Sequence, residues 1–176
     1  AHLIVTAAHV FDDANTNWLW IVRGKKKVKG HPVYFDKGED IALVATKPLD
    51  MVKPTKLNVR TPYPPVGEEL TYSGYPGRHD LLTIRGEVVG YQKIWDEREK
   101  VVVHTYGWPG ASGSCFFDKR GRMVGVLVAI PIGRGYVPQL LESMVFATPI
   151  KVLDLDKLDK NICSLQSDIR PRFCGK

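Results

Sequence analysis

The sequence predicts an all-β protein built from two packed antiparallel barrels. Short runs of alternating or β-branched apolar residues recur along the chain, and glycine or proline separates each run from the next. Only one segment, near the C-terminus, has apolar residues at helical spacing. Many short strands with few helices are typical of such folds. The chain has 176 residues, 44% of them hydrophobic, and can bury a core in one domain or two small packed halves.

The N-terminal part, residues 1–65, predicts the first barrel and a connection to the second. Its strands are expected at residues 2–6, 18–23, 31–35 and 41–46, with a short helical turn at residues 7–10. The apolar run at 41–46 is nearly continuous, so both faces of that strand are expected to be buried. Four prolines between residues 53 and 65 remove backbone donors, which makes this stretch the connection between the barrels.

Residues 66–152 predict the second barrel. Strands are expected at residues 69–75, 82–91, 100–104, 114–118, 123–130 and 143–147. Thr148 and Pro149 resemble a helix N-cap and a first helical position, and apolar residues follow at helical spacing. The sequence therefore predicts a helix over 149–163, within a C-terminal helix and tail that occupy residues 153–176.

The chain is basic, with a formal net charge of +6 and a pI near 9.2. A basic protein can attract nucleic acid, acidic peptides or anionic surfaces. The densest basic run is Lys25-Lys26-Lys27, with Lys29 close by. We interpret these lysines as the solvated tip of a hairpin. An RNA-contacting patch is the alternative, but no aromatic-basic nucleic-acid motif accompanies the run.

Three cysteines are too few for a disulfide scaffold. Cys115 lies in a predicted strand and is expected to be a buried thiol. Cys163 and Cys174 could pair, although nothing in the sequence requires it. This usage favours a reducing, intracellular compartment, such as a virus-infected host cell. The five histidines lack the spacing of a zinc site, and no metal is expected.

Three short motifs contain the residue types of nucleophilic catalysis. They are Thr6-Ala7-Ala8-His9, Asp40-Ile41-Ala42-Leu43 and Pro109-Gly110-Ala111-Ser112-Gly113. A serine hydroxyl is a weak nucleophile that needs an adjacent base, and the base needs a group that orients it. Each motif alone is unspecific, but the order His, Asp, Ser differs from that of subtilisins and α/β-hydrolases.

On these three motifs, the chain resembles the chymotrypsin-like, or trypsin-like, serine protease family, from residue 1 to about residue 152. The serine loop is most similar to that of bacterial high-temperature-requirement-type members. The resemblance implies two six-stranded-type barrels and a serine endopeptidase that works through an acyl-enzyme without a cofactor. His9 would be the general base, Asp40 its orienting acid and Ser112 the nucleophile. Asp36 and Glu39 are nearby alternatives for the acid.

The serine loop also predicts an oxyanion hole. Glycines two residues before and one residue after Ser112 allow a tight turn, in which the backbone amides of Gly110 and Ser112 can converge on one point. Ser114 is a competing nucleophile two residues further on, and it ranks behind Ser112 because it lacks this glycine context. These features are expected to bind a polypeptide substrate.

The resemblance also implies a substrate groove. Residues 126–130 would be the edge strand with which a substrate backbone pairs. The specificity pocket is expected to be lined by residues of two segments, 106–108 and 128–130. Its side chains would be those of Tyr106, Trp108, Val128, Ala129 and Ile130, with Gly107 between the first two. No Asp occupies the expected base of the pocket, and viral relatives that cut after Glu or Gln carry a histidine where this chain has Leu127. An apolar pocket is therefore predicted.

Two departures from the family pattern qualify this interpretation. Ser114 stands where cellular proteases usually carry a second glycine, which several RNA-virus proteases of this fold also replace. The histidine motif begins so early that the first barrel is expected to lack N-terminal strands, as if the chain had been trimmed or cut from a precursor. Both favour a viral or polyprotein-processing protease, with its own precursor as one substrate. The alternatives are a catalytically silent peptide-binding module on the same fold and a basic RNA-binding protein.

Overall fold

The computed structural model describes residues 2–11, 18–48, 58–94, 97–133, 139–141 and 143–153. The strands form a four-stranded sheet from the N-terminal part and a closed six-stranded barrel from the C-terminal part, as expected of an all-β protein. A short hairpin of β10 (Ile132–Gly133) and β11 (Gln139–Leu140) was not predicted from the sequence. No helix within the described ranges is long and apolar enough to cross a membrane.

The N-terminal sheet has the strand order β1-β4-β3-β2 and is antiparallel throughout. Its strands are β1 (His2–Thr6), β2 (Leu19–Arg23), β3 (Lys26–Asp36) and β4 (Ile41–Thr46). All six residues of β4 are buried, which confirms the prediction from its continuous apolar run. Across the described residues this unit is an open sheet and not a closed barrel.

The C-terminal barrel closes in the order β12-β7-β6-β5-β8-β9. Its strands are β5 (Glu69–Gly74), β6 (Leu82–Ile94), β7 (Arg98–His104), β8 (Cys115–Phe117), β9 (Met123–Ala129) and β12 (Met144–Pro149). These match the predicted strands to within a few residues. A β-bulge shifts the register of the β6–β7 pair between Val88 and Gly90.

Buried side chains join the sheet to the barrel. Alternate residues of β4 point to opposite sides, as the two-residue period of a strand requires. Ile41 and Leu43 pack in one cluster with Val126 and Val128 of the barrel, whereas Ala42 and Val44 pack with the 3₁₀ turn Ala8–Phe11. A separate cluster fills the barrel interior. It includes Leu70, Tyr72, Val103, Phe116 and Leu127.

The predicted C-terminal helix does not start where the sequence suggested. Thr148 and Pro149 are the last residues of β12, and a 3₁₀ turn, Ile150–Val152, follows them. The Thr148 hydroxyl donates a hydrogen bond to the Glu39 carbonyl (2.5 Å), so it does not cap a helix. The remainder of the predicted helix and tail, from residue 154 onward, lies outside the described residues.

The lysine run forms part of a strand. The turn between β2 and β3 is at Gly24 and Lys25, so Lys26 already belongs to β3. Lys27 lies 4.7 Å from the ring centre of Trp20, and Lys29 lies 4.4 Å from that of Trp18. Such cation–π contacts are favourable even at an exposed surface. All four lysines are exposed on the β2–β3 hairpin, which agrees with the predicted solvated hairpin, and Lys27 and Lys29 also contact tryptophan rings.

Candidate active site

His9 and Asp40 meet because the strands that carry them are paired. β1 ends at Thr6, which lies opposite Ala42 near the start of β4. His9 follows β1 in the 3₁₀ turn, and Asp40 directly precedes β4. Asp40 Oδ2 lies 2.7 Å from His9 Nδ1, and Asp40 Oδ1 accepts a hydrogen bond from the His9 backbone amide at 2.8 Å. Both carboxylate oxygens are thus directed at one residue.

Asp40 is held in an unusual environment. Only 6% of the residue is exposed, and its backbone has φ = 55°, in the left-handed region that residues other than glycine seldom adopt. The two alternative acids have different partners. Asp36 accepts a hydrogen bond from the Glu39 amide, and the Glu39 carboxylate binds Lys100. Of the three acids considered, Asp40 is the one in contact with His9.

A tight turn precedes Ser112. The Ala111 amide donates to the Trp108 carbonyl (3.0 Å), and Gly110 has φ = +96° at the third position of that turn. Proline second and glycine third are the preferences of a type II turn. A Cβ on Gly110 would lie 2.9 Å from the Tyr75 carbonyl oxygen. Both this short distance and the positive φ angle therefore require glycine at this position.

Two amides of the serine loop have no backbone acceptor among the residues that the structure describes. The Gly113 amide donates to the Leu127 carbonyl (2.8 Å), and the Ser114 amide donates to the Ala111 carbonyl (3.1 Å). Within the described residues, no backbone carbonyl accepts a hydrogen bond from the amides of Gly110 or Ser112. These are the two amides that the sequence predicted for an oxyanion hole.

The serine loop packs against the segment that carries the histidine. A Cβ on Gly113 would collide with the Thr6 side chain and lie 3.3 Å from the Ala7 amide nitrogen, which places the loop directly on the end of β1. Ser112 and Ser114 line an open cavity of about 480 Å³ between the sheet and the barrel. Its other walls include Ile4, Thr6, Val10, Leu19, Ile21, Val44, Gly74 and Tyr75.

The comparisons with known proteins identify the family. The sequence model of the trypsin-like peptidase domain matches residues 1–126, a range that contains His9, Asp40 and Ser112. The chain belongs to the trypsin-like peptidase family. It is accordingly a serine peptidase. The comparison with curated proteins found no match to the chain.

Solved structures of bacterial proteases share the fold. The active form of the Rv3671c protease from M. tuberculosis is 19% identical, with a TM-score of 0.73 over 93% of this chain and 70% of that chain. The HtrA-type protease AlgW, solved with a decapeptide, is also 19% identical with a TM-score of 0.73, over 92% of this chain and 48% of that chain. The similarity of the serine loop to high-temperature-requirement-type proteases therefore extends to the whole fold.

The predicted pocket residues of this trypsin-like peptidase differ in exposure. Tyr106 is 64% exposed, and Trp108 and Ile130 are partly buried. A Cβ on Gly107 would lie 3.3 Å from Ile130, so the two predicted walls are neighbours. Ala129 is also partly buried, whereas Val128 is 3% exposed and packs in the core. The Val128 side chain therefore belongs to the core and does not line an open pocket.

The predicted edge strand is shorter than expected. Val126 pairs with Cys115 of β8, and Leu127 exchanges hydrogen bonds with Gly113 and Ser114. On the β8 side, no described strand pairs with residues 128–130. The open edge is therefore limited to residues 128–130, because the serine loop itself occupies the first part of the predicted edge.

Cys115 is a partly buried free thiol, so the prediction of a buried thiol holds only in part. Burial raises its pKa to about 11, which keeps it protonated and unreactive at neutral pH. The described residues contain no group of His, Cys, Asp and Glu that could hold a metal ion. The other histidines lie on β1, on β3, on β7 and after the turn Pro76–Arg78, where His79 packs against Trp108 with ring centres 5.7 Å apart.

Sequence reasoning missed a group of charged residues behind Asp40. Lys100 of β7 is fully buried, and its ammonium group binds both the carboxylate and the carbonyl of Glu39. Arg98 and Thr148 also bind Glu39. The only signal in the sequence was a lysine at the start of the apolar run Val101–Val103, and that does not reveal a partner 61 residues away.

Proposed function

We propose that this chain is an endopeptidase in which His9, Asp40 and Ser112 act as one catalytic triad. The observation that carries the proposal is the double hydrogen bond between Asp40 and His9, together with the packing of the Ser112 loop against the end of β1. Because Asp40 binds Nδ1, Nε2 is the ring nitrogen that would serve as the base.

The proposed reaction begins when the Ser112 oxygen attacks the carbonyl carbon of the peptide bond. His9 Nε2 takes the hydroxyl proton, and Asp40 stabilises the resulting imidazolium. The amides of Gly110 and Ser112 donate to the negatively charged oxygen of the tetrahedral intermediate. His9 then protonates the leaving amine, and an acyl-enzyme remains on Ser112. A water molecule, deprotonated by His9, hydrolyses the ester and restores the serine.

A polypeptide is the proposed substrate, bound through its backbone at residues 128–130 and through an apolar side chain beside Ile130. The structures of AlgW with a decapeptide and with a tripeptide support a peptide ligand for this fold. A viral or polyprotein-processing role, with the precursor as substrate, stays a prediction from Ser114. Nothing in the comparisons points to RNA.

A peptide library with mass-spectrometric detection tests this proposal. The wild-type protein should cleave after medium or small apolar side chains. Ser112→Ala should lower turnover by a factor on the order of 10⁶, as in serine proteases generally. Ser114→Ala is the matched control and should keep most of the activity, because its hydroxyl packs beside Gly74. Cleavage that survives Ser112→Ala would exclude Ser112 as the nucleophile, and binding without cleavage would favour a silent peptide-binding module.

A further inference from the structure

A buried ion pair joins Glu39, the residue before Asp40, to Lys100 of β7, and thereby links the two halves of the molecule. Lys100 is 0% exposed, and its Nζ lies 2.6 Å from a Glu39 carboxylate oxygen and 3.0 Å from the Glu39 carbonyl oxygen. Thr148, also 0% exposed, donates to the same carbonyl. Arg98 Nη1 lies 3.1 Å from the other carboxylate oxygen. Three barrel side chains thus converge on one residue of the turn between β3 and β4.

Stability alone does not account for this arrangement. Removing an ammonium group from water is costly, and replacing a buried ion pair with apolar side chains is often neutral or stabilising. Most of the surrounding core is aliphatic, with Val101, Val102 and Val103 following Lys100 in β7. A fully buried lysine in such surroundings points to a requirement for one specific geometry.

The geometry in question is that of the peptide bond between Glu39 and Asp40. The carbonyl that receives Lys100 and Thr148 belongs to this peptide unit, and the orientation of the unit sets the φ angle of Asp40. That angle is 55°, which residues other than glycine hold only where the surroundings enforce it. A change of this φ angle that the preceding ψ angle did not compensate would turn the Asp40 carboxylate away from His9. The two donors oppose such a change.

We propose that Lys100 and Thr148 are positioning residues that hold the Glu39–Asp40 peptide so that both Asp40 oxygens face His9. This proposal rests on the proposed function, in which His9 is the base. It also gives the second half of the molecule, which carries Ser112, direct control over the acid and base that the first half carries. The triad would then be complete only when the sheet and the barrel are docked.

The test compares isosteric threonine variants. Thr148→Val removes only the hydroxyl that binds Glu39, and Thr148→Ser restores a hydroxyl. Thr46→Val is the matched control, because Thr46 is also 0% exposed and also donates to a backbone carbonyl, that of Lys29, at the far end of β4. Lys100→Met is the stronger variant. The rate of reaction with a fluorophosphonate and the low-field proton NMR signal of His9 Nδ1–H are measured for each, with His9→Ala to assign the signal.

Thr148→Val should slow the reaction by about tenfold and shift or broaden the NMR signal, because sub-ångström misalignment of catalytic groups is costly. Thr148→Ser and Thr46→Val should stay within about twofold of wild type, with an unchanged signal. Lys100→Met should slow the reaction and shift the signal more than Thr148→Val does. If Lys100→Met does not fold, the threonine variants alone test the proposal. Wild-type rates and an unchanged signal in Thr148→Val would overturn the proposal. If the wild-type protein does not react at all, the proposed function fails, and the NMR signal still tests the positioning.

Discussion

Asp40 shows how closely neighbouring acids can differ in role. Asp36, Glu39 and Asp40 lie within five residues, but only Asp40 directs its carboxylate at His9. Asp36 closes the turn through the Glu39 amide, and Glu39 binds barrel residues. Asp40 also differs from the other two acids in its backbone, since its φ of 55° lies in the left-handed region.

Asp40→Asn should lower turnover by a factor on the order of 10⁴ and leave the fold intact, because an amide cannot stabilise the imidazolium and disturbs the tautomer of His9. Kinetics on the best library peptide measure the effect, and circular dichroism checks the fold. Asp36→Asn provides the control and should retain activity within about tenfold, since it contacts the turn and not the histidine. Equal losses in the two variants would contradict the assignment of Asp40.

At this scale, the sequence predicted the identity of the candidate residues but not their environment. The motifs around His9 and Ser112 singled them out among five histidines and several serines. The motif Asp40-Ile41-Ala42-Leu43 favoured Asp40 over Asp36 and Glu39, but it did not reveal the φ angle of Asp40 or the contacts of Lys100 and Thr148 with the preceding carbonyl. Contacts over such separations leave no local pattern in a sequence.

Among the elements, the turn before Ser112 has the strictest requirements. Gly110 adopts a positive φ and lies against the Tyr75 carbonyl, and the Gly77 amide in turn donates to the Pro109 carbonyl at 2.8 Å. The turn is thereby packed against the loop that follows β5. This support fixes the direction of the Gly110 amide, which the proposed reaction uses.

Gly110→Ala should lower turnover by about 10²–10³, the effect of losing one oxyanion donor, because the new Cβ must displace the Tyr75 carbonyl. Gly121→Ala is the matched control. Gly121 also has a positive φ (69°), but nothing lies within 4 Å of a Cβ there. It should cost about 1 kcal/mol of stability and leave turnover unchanged. Steady-state kinetics and thermal unfolding distinguish the two, and a Gly110→Ala enzyme with normal turnover would contradict the role of this amide.

The hairpin between β8 and β9 depends on one carboxylate. Asp118 is 4% exposed and accepts hydrogen bonds from the amides of Arg120 and Arg122 and from the Arg122 side chain. Burial opposes its ionisation, but these hydrogen bonds and the Arg122 charge prevail and hold its pKa below the usual value of 3.8. A carboxyl whose pKa is lower in the folded state stabilises the fold above the unfolded-state pKa, and that stabilisation is lost as the pH falls through the folded-state pKa.

Asp118→Asn should therefore lower the free energy of unfolding by about 2 kcal/mol at pH 7. The difference in the free energy of unfolding between variant and wild type should narrow as the pH falls below about 4, since the wild-type carboxyl then becomes protonated. Urea unfolding at several pH values measures both effects. The exposed Asp80→Asn serves as the reference and should change little. A gap that stays constant down to low pH would show that the Asp118 charge is not what stabilises the hairpin.

The elements themselves were largely predictable. Each predicted strand appears within a few residues, because β-branched runs and glycine or proline breaks are local signals. There are two exceptions. Thr148 and Pro149 resemble the start of a helix, but the barrel extends β12 through them and uses the Thr148 hydroxyl to bind Glu39. β3 begins at Lys26, earlier than the predicted residue 31, because a run of exposed lysines lacks the apolar alternation that marks a strand.

The whole molecule combines a closed barrel with an open sheet. Every barrel strand has two neighbours, whereas among the described residues β1 and β2 each pair with one strand only. Each of the four sheet strands contributes side chains to one of two places. These are the core that the sheet shares with the barrel and the cavity of about 480 Å³. The barrel therefore supplies a stable frame, and the sheet is docked on it through β4.

Native-state hydrogen exchange should show this asymmetry. Amides of β2 and of the outer edge of β1 should exchange at least about tenfold faster than those of β7 and β12, because edge strands open without unfolding the barrel. Exchange monitored by NMR or by mass spectrometry of peptides gives the comparison. Uniform protection across both units would contradict this description of the fold.

The central claim is that Ser112, His9 and Asp40 function as one unit across these two halves. Fluorophosphonate labelling followed by peptide mapping tests it most directly. The account predicts a single adduct on Ser112, which is absent in Ser112→Ala and forms far more slowly in His9→Ala. An adduct on Ser114, or a labelling rate that does not depend on His9, would contradict the claim.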